Sequence, residues 1–326
     1  MKQNIAILAG GDSGEYEISI KSAEVVKKHL DPALFNVFLI ILHEGHWCYQ
    51  DDQGMRHAVS KEDFSLSFSS DKVIFDAVFI AIHGTPGEDG KIQGYLDLLG
   101  MPYTSCDQAT SALTFNKYFC NNYVRSFGLK VARSIFLNRH EQVDIDDILE
   151  KLRLPVFVKP NKGGSSVGAS KVKAAGGLLP AIETAFREDD QVMIEEFMPG
   201  REISCGIIKL KGKLVALPLT EIVSKNEFFD YEAKYQGKSE EITPAPINEV
   251  VAENIRKTSL ELYKILNCKG IVRFDYILNG DELNFLEVNT VPGFSEASII
   301  PQQALKAGIS LKDLFTEAVL NAINDR

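Results

Sequence analysis

The stretch that most constrains this chain lies near its end. There Val272-Arg273-Phe274-Asp275-Tyr276-Ile277-Leu278 and Leu283-Asn284-Phe285-Leu286-Glu287-Val288-Asn289 flank Asn279-Gly280-Asp281-Glu282. Both runs are short, apolar and rich in β-branched or aromatic residues, and the residues between them are turn formers, so the pair predicts a β-hairpin. With a loop of Gly280 to Glu282, Asn279 faces Leu283, Asp275 faces Glu287 and Arg273 faces Asn289. Side chains alternate along a strand, so these last four project from one face. Opposed carboxylates repel unless positive charge lies between them. A divalent cation held through oxygen ligands, with phosphate and water completing its shell, is one solution. For the hairpin alone, a solvated face on which Arg273 neutralises an acid is the simpler account; the rest of the chain favours the cation.

At 326 residues, 45% hydrophobic and 25% charged, the chain suits two or three compact units of a soluble globular enzyme. A net charge of −10 argues against nucleic acid as the main partner, because phosphate backbones need a basic surface. It leaves room for a small anion in a locally positive cleft. Cys48, Cys106, Cys120, Cys205 and Cys268 are scattered and odd in number, the pattern of reduced thiols. The apolar run Ile5 to Ala9 is too short for a signal peptide or a membrane span, and no other segment reaches spanning length. The expectation is a cytoplasmic protein with no membrane and no nucleic-acid partner.

Along the chain, Ile5–Ala9, Phe35–Leu42 and Ala77–Ile82 read as buried strands, with a helix over Glu15–Leu30 between the first two. Strands alternating with helices predict a parallel sheet whose ligands gather beyond its carboxyl ends. Polar, glycine-bearing clusters follow such ends at Gly10–Glu15 and His83–Gly90, and a polar one at Tyr103–Ser105. A helix runs from Lys117 to Ser126. Strands follow at Val156–Lys159, Val192–Glu195, Ile203–Leu210 and Lys213–Leu219, with a helix near Leu178–Phe186 and another near Leu311–Asn321. The long polar-aromatic segment 224–246 has the character of a lid or binding loop.

Several clusters bear chemistry. Lys159-Pro160-Asn161-Lys162-Gly163-Gly164-Ser165-Ser166-Val167-Gly168 follows a strand, and its backbone N–H groups and lysines can wrap phosphate oxygens. Its spacing fits neither a Walker A loop nor a Rossmann fingerprint. The stretch Met193–Glu202 offers backbone donors and acceptors to an adenine edge, an aromatic face, and acids for ribose hydroxyls. Taken singly, Lys117 and Lys234 are ordinary surface lysines, Tyr235 a packing residue, His83 a strand-end hydrogen bonder, Glu15 a helix-start acid, and Ser165 and Ser298 loop or cap serines.

In order, however, these blocks resemble the D-alanine–D-alanine ligase family of ATP-grasp enzymes. The likeness is carried by Gly10-Gly11 with Glu15-Tyr16-Glu17-Ile18-Ser19, His83-Gly84 with Gly87-Glu88-Asp89-Gly90, Asn116-Lys117, Val158-Lys159-Pro160, and Gly164-Ser165-Ser166-Val167-Gly168. It continues through Tyr231-Glu232-Ala233-Lys234-Tyr235, Arg273-Phe274-Asp275 and Glu287-Val288-Asn289-Thr290-Val291-Pro292-Gly293. The resemblance implies an α/β protein, α+β in its ATP-grasp part. An N-terminal parallel-sheet substrate domain (1–115) is followed by central (116–200) and C-terminal (201–326) ATP-grasp subdomains.

It further implies ligation of two D-alanines through an acyl phosphate, with ATP and two Mg²⁺ (or Mn²⁺) as cofactors and a homodimer as the expected assembly. By the same resemblance Asp275, Glu287 and Asn289 hold the metals. Lys117, Lys159, Ser166 and Lys234 meet the ATP phosphates, while Glu195, Phe197, Met198 and Glu202 hold the nucleoside. Glu15, linked through Ser165 to Tyr235, takes the first ammonium. Arg273 and the Gly293 amide stabilise developing charge, His83 helps line the substrate site, and Ser298 and Ile299 form the second subsite.

Three departures stand out. Tyr16 replaces a common arginine, Glu196 a frequent basic residue, and Phe294-Ser295-Glu296-Ala297-Ser298-Ile299 alters the segment after the glycine. The last bears on the acceptor, so D-lactate and D-serine are alternatives to D-alanine; Ile299 in place of arginine, and Tyr235, favour D-alanine. A catalytically inactive ATP-binding module is the alternative of another class, and retention of both acids, Asn289 and the three lysines opposes it.

Overall fold

A computed structural model of the chain describes residues 2–51, 53–68, 71–224 and 239–325. Strand β1 (Gln3–Gly10) is fully buried from Ile5 to Ala9, as a strand covered on both faces must be. Helix α1 (Tyr16–His29) returns the chain to β2 (Phe35–His43), parallel to β1. The expected parallel sheet is present, but it is extended in an antiparallel sense by β3 (His46–Gln50) and β4 (Arg56–Ala58). A small ladder of β5 (Leu66–Phe68) and β6 (Asp71–Val73) precedes β7 (Ala77–Ile80), which pairs in parallel with β1. The strand order is β4-β3-β2-β1-β7. Glu15 and His83 follow the carboxyl ends of the neighbouring parallel strands β1 and β7, where ligand sites of parallel sheets form.

Helices α2 (Lys91–Leu98), α3 (Gln108–Phe115) and α4 (Lys117–Ser126) lead to β8 (Lys130–Val131). A second, antiparallel sheet is built from β9 (Ser134–Asn138), β10 (Val156–Pro160), β11 (Ser170–Val172) and β12 (Gln191–Glu196), in the order β11-β10-β12-β9. Val156, Val158, Val192 and Ile194 point to one face and pack with α5 (Ile145–Lys151) and α6 (Leu178–Glu188). Alternation therefore sends Phe157, Lys159 and Glu195 to the other face, where the ligand cavity lies.

The third sheet contains β13 (Arg201–Leu210), β14 (Lys213–Ala216), β15 (Thr220–Ser224), β16 (Ser239–Ile242), β17 (Val272–Asn279) and β18 (Glu282–Asn289). Its path is β16-β15-β13-β17-β18-β8, with β14 paired to β13. Strand β14 ends at Ala216, short of the expected Leu219. Helix α7 (Glu249–Ile265), for which the sequence reading has no element, is capped by Asn248 and buries Ala252, Ile255, Ser259 and Leu262 at helical spacing.

Helices α8 (Ile299–Lys306) and α9 (Leu311–Asn324) complete the chain. The core of the first sheet is closed by C-terminal residues: Phe79 on β7 meets Phe294 at 5.3 Å and Phe315 of α9 at 5.9 Å between ring centroids. The 1–115 segment thus shares its core with the last helix. We expect Phe315→Ala to lower unfolding free energy by about 3–5 kcal/mol in urea titrations, the range for emptying a fully buried aromatic site.

Candidate active site

The hairpin forms, with one correction. Its loop has two residues rather than three: Asn279 pairs with Glu282, and Gly280 takes φ +60° in the turn. That shorter loop alone would shift the register by one and misplace the acids. A bulge between Asp275 and Tyr276, with Leu286 as the extra residue of β18, restores it, so Asp275 faces Glu287 and Arg273 faces Asn289 as expected. Val272, Phe274, Tyr276 and Leu278 enter the core on one side. Arg273, Asp275 and Ile277 face the ligand cavities on the other.

Asp275 is 1% exposed and held from several directions. Arg273 donates from Nη2 to Oδ2 (2.8 Å) and from Nε to Oδ1 (2.9 Å). Ser204 on β13 donates to Oδ1 at 2.5 Å and Asn289 Nδ2 to Oδ2 at 2.9 Å. Burial works against the charge on Arg273, yet Asp275, Glu287 and Glu202 together push its pKa upward and keep it a cation. Glu287 lies 3.3 Å from Lys117 Nζ, and the same Nζ donates to the Gly163 carbonyl at 2.8 Å. The acids are therefore adjacent to the glycine-serine loop. Asn161 holds Lys117 there, accepting from Lys117 N through its carbonyl (3.1 Å) and from Tyr118 N through Oδ1 (2.9 Å).

Two cavities meet at Lys117, Gly163–Ser165, Glu202, Ile222 and Glu287. The larger, about 440 Å³, runs between the second and third sheets past Phe157, Lys159, Ser166, Phe197 and Met198, with Ile277 and Leu286 on its apolar wall. Lys159 donates to Glu195 Oε1 at 2.5 Å, while Glu195 Oε2 is buried with no partner among the described residues. A buried acceptor without a donor is costly unless a ligand supplies one, and an amino group on a bound base would do so. Phe197 N donates to Pro155 O at 3.0 Å, and Lys171 Nζ lies 3.7 Å from the Phe197 ring centroid. Glu196, also in the lining, accepts from Arg153 N at 2.9 Å.

The smaller cavity, about 250 Å³, is lined by Glu15, His83, Glu88, Arg273, Asp275, Gly293, Ser298 and Ile299 among others. Glu15 stands at the start of α1 without capping it, and accepts instead a short hydrogen bond from Ser165 Oγ. A Cβ on Gly164 would lie 2.5 Å from Glu15 Oε2, so a larger residue there would push that carboxylate out of its present position. Ser165 and Ser166 both adopt positive φ (52° and 58°), backbone strain of the kind found at ligand clamps. Lys234 and Tyr235, and with them the last link of the Glu15–Ser165–Tyr235 set, lie outside the described residues.

His83 lines the smaller cavity and also braces its wall. Its Nδ1 meets the Val291 carbonyl at 2.9 Å, which can only accept, so Nδ1 carries the proton and Nε2 accepts from Ser22 Oγ at 2.9 Å. Ser22 Oγ in turn accepts from Phe294 N at 3.1 Å. His83 and Ser22 together bracket the loop carrying Gly293, and burial lowers the His83 pKa, favouring this neutral form. Ser298 opens α8 without capping it; its hydroxyl pairs with Ser295 Oγ at 2.7 Å.

Glu88 lies outside the residues the sequence singled out individually. It accepts from Gly84 N (2.8 Å) and Val291 N (3.3 Å), and its pKa is pushed up to about 8 by burial and then by the nearby Glu15. Two acidic side chains lining one cavity can seat a cation, whose arrival favours their ionised forms.

The sheets, the glycine-serine loop and the acid-bearing hairpin define an ATP-grasp protein, and solved structures of that fold superpose on nearly the whole chain. A D-Ala:D-Ser ligase from Enterococcus faecalis does so with TM-score 0.87 at 30% identity, covering 99% of this chain and 100% of that one. A D-alanine–D-alanine ligase from Bacillus anthracis complexed with ATP gives 0.80 at 30% identity, covering 100% and 98%. The D-alanine–D-alanine ligase of Phocaeicola vulgatus is 46% identical over 322 residues, 98% of this chain and 99% of that protein. Family models described as D-ala D-ala ligase N-terminus and C-terminus match residues 4–106 and 123–320. The chain belongs to the D-alanine–D-alanine ligase family.

Proposed function

We propose that this chain joins two D-alanines to D-alanyl-D-alanine at the expense of ATP, a step of peptidoglycan precursor synthesis. The observation that carries this reading is the joining of a nucleotide-sized cavity to an amino-acid-sized one across Lys117, Gly163–Ser165 and Glu287. In the first half-reaction a carboxylate oxygen of the donor D-alanine bonds to the γ-phosphorus and the β–γ bridging P–O bond breaks, releasing ADP. In the second, the amine of the acceptor bonds to the acyl carbon, loses a proton, and the C–O bond to phosphate breaks. No nucleophilic side chain is required. Positioning and charge neutralisation supply the rate.

Within this reading Lys117 and Lys159 would contact the phosphates and Ser166 the glycine-rich wrap around them. The unpartnered Glu195 Oε2 supports an adenine amino group there, with Met198 and the Phe197 carbonyl beside its edge and Glu202 at the ribose. Lys234 and Tyr235 would act from the 224–246 segment. Arg273 and the Gly293 N–H would face the transferring phosphoryl group and the tetrahedral oxyanion, both poised before the charge develops. Ser298 and Ile299 would receive the acceptor.

Asp275, Glu287 and Asn289 fit divalent cations, Mg²⁺ or Mn²⁺. Among the described residues no three His, Cys, Asp or Glu side chains converge to hold a metal unaided. Two facing carboxylates and an amide suit an ion whose shell is completed by nucleotide phosphate, where it would screen phosphate charge. The three-domain division at about 115 and 200 draws support from the three larger sheets, with β8 crossing to the third, and a cytoplasmic setting from the five free thiols.

The deciding experiment is mass analysis of products from purified protein, ATP and Mg²⁺ with D-alanine alone, then with D-lactate or D-serine added. D-alanine-dependent phosphate release with dialanine as main product supports the reading; ATP binding with no turnover returns the inactive module.

A second expectation concerns protons. Near pH 7 Glu88 is mostly protonated in the empty site. The donor ammonium, arriving beside Glu15 and Glu88, lowers that pKa, so binding should release up to roughly one proton. Calorimetry in buffers of different ionisation enthalpy would read this release. It should vanish in Glu88→Gln and above about pH 9, where the group is already ionised.

A further inference from the structure

The smaller cavity contains a carboxylate that the ligation chemistry above leaves without a task. Glu241 lies on the edge strand β16, opposite Ile222 in register, and lines the cavity together with Arg273, Ala297, Ser298 and Ile299. Among the described residues no lysine, arginine or histidine forms an ion pair with it. Its Oε2 accepts from Gln302 Nε2 at 3.2 Å, and that same amide nitrogen donates to the Ala297 carbonyl at 2.6 Å. Gln302 sits in the first turn of α8, one turn beyond Ser298. The amide thus ties Glu241 to the segment that forms the second subsite. A side chain held at a cavity wall by a neutral donor keeps its negative charge for whatever enters.

The placement of charge around this cavity is asymmetric. Glu88 feels the charge of Glu15 and accepts from Val291 N beside the His83 bracket, whereas Glu241 is tied through Gln302 to Ala297, next to Ser298; Arg273 also lines the space. Two zwitterionic amino acids entering together need two anionic seats for their ammonium groups and cationic or hydrogen-bond-donating seats for their carboxylates. Glu15 and Glu88 supply one anionic seat. We propose that Glu241 supplies the other: it is the counter-charge for the ammonium group of the second amino acid, and so a specificity-determining residue that favours amine over hydroxy-acid acceptors. The inference rests on the ligase reading and deepens it. An α-hydroxy acid of the same size offers no positive charge to this position, so it forfeits the attraction and leaves Glu241 desolvated without a partner. Burial raises the pKa of Glu241 and attraction to Arg273 opposes that rise, so the carboxylate stands in a desolvated place where an arriving cation would favour its charged form.

The test uses the full-length enzyme with saturating ATP and Mg²⁺. Glu241→Gln keeps shape and one acceptor oxygen but removes the charge. Its KM for the second D-alanine should rise about tenfold, the effect of losing roughly 1.4 kcal/mol, while the KM for ATP and for the first D-alanine stay within about twofold of wild type. With D-alanine and D-lactate offered together, the share of D-alanyl-D-lactate by mass should increase. Gln302→Leu, which keeps the charge but frees the side chain, should raise the acceptor KM by a smaller factor and leave the D-lactate share unchanged. It keeps the idea testable if Glu241→Gln folds poorly, because an unaltered acceptor KM in Gln302→Leu then counts against it. An acceptor KM and product ratio unchanged in Glu241→Gln overturn the inference and leave the ligase reading intact. A wild-type enzyme that forms no dipeptide from D-alanine overturns both.

Discussion

Glu287→Gln should reduce turnover roughly a hundredfold or more while changing unfolding free energy by no more than about 1 kcal/mol. The two halves of this expectation have different origins. Glu287 is a quarter exposed, and its ion pair with Lys117 at 3.3 Å is partly screened, so its loss barely disturbs the fold. Lys117 retains its bond to the Gly163 carbonyl, so the phosphate loop keeps its anchor. The proposed metal, in contrast, loses one of two charged protein ligands at the point where triphosphate charge accumulates. Steady-state phosphate release and chemical denaturation, run on the same preparation, separate the effects. The apparent requirement for Mg²⁺ should move to higher concentration as well. Near wild-type turnover at low Mg²⁺ would sink the metal assignment.

Arg273→Met is expected to do damage of both kinds. Asp275 is nearly inaccessible and takes bonds from both Nε and Nη2 of Arg273, so removing the guanidinium strands a buried carboxylate. Breaking such a pair from one side costs about 3–5 kcal/mol. Activity should fall by at least about a hundredfold, because the cation also lines the smaller cavity, where by the proposed assignment oxyanion charge would develop. The informative control is the double variant Arg273→Met/Asp275→Asn. An asparagine can still accept from Ser204, and no charge is left unpaired, so stability should recover in part while activity stays low. Were the double variant no more stable than the single one, the loss would have to come from packing around Arg273 rather than from a stranded charge.

Much of this was legible in residues alone, for identifiable reasons. Asp275 opposite Glu287 follows from alternation in two strands of unambiguous character, and alternation holds whatever the surroundings. The loop length did not follow, because Gly280-Asp281 with a bulge at Leu286 and a longer loop without one place the acids alike. Lys159 was legible as a lysine ending a buried strand before glycines. Glu88, Ser295, Ser204 and Gln302 carried no comparable mark: each gains its meaning from a partner distant in sequence or from a cavity wall that only folding creates. His83 was legible as a cavity residue, but its bracing role was not, since its two nitrogens are engaged by Ser22 and Val291, which lie on segments 61 and 208 positions away. The small strands between His46 and Val73 are three to five residues each, too short for periodicity to distinguish from loop. Helix α7 had a cap and a clear apolar face, and the expectation overlooked it.

The seating of Phe294 and Phe315 on Phe79 has a consequence for how the protein comes into being on the ribosome. The first strands emerge with one side of their sheet bare, and Phe294 and Phe315, which roof it, are synthesised long after Phe79. Until Phe315 has emerged, the nascent N-terminal part should remain loosely organised or shielded by a chaperone. A chain stopped before Leu311 would be expected to be cleared rather than to persist as a half-enzyme.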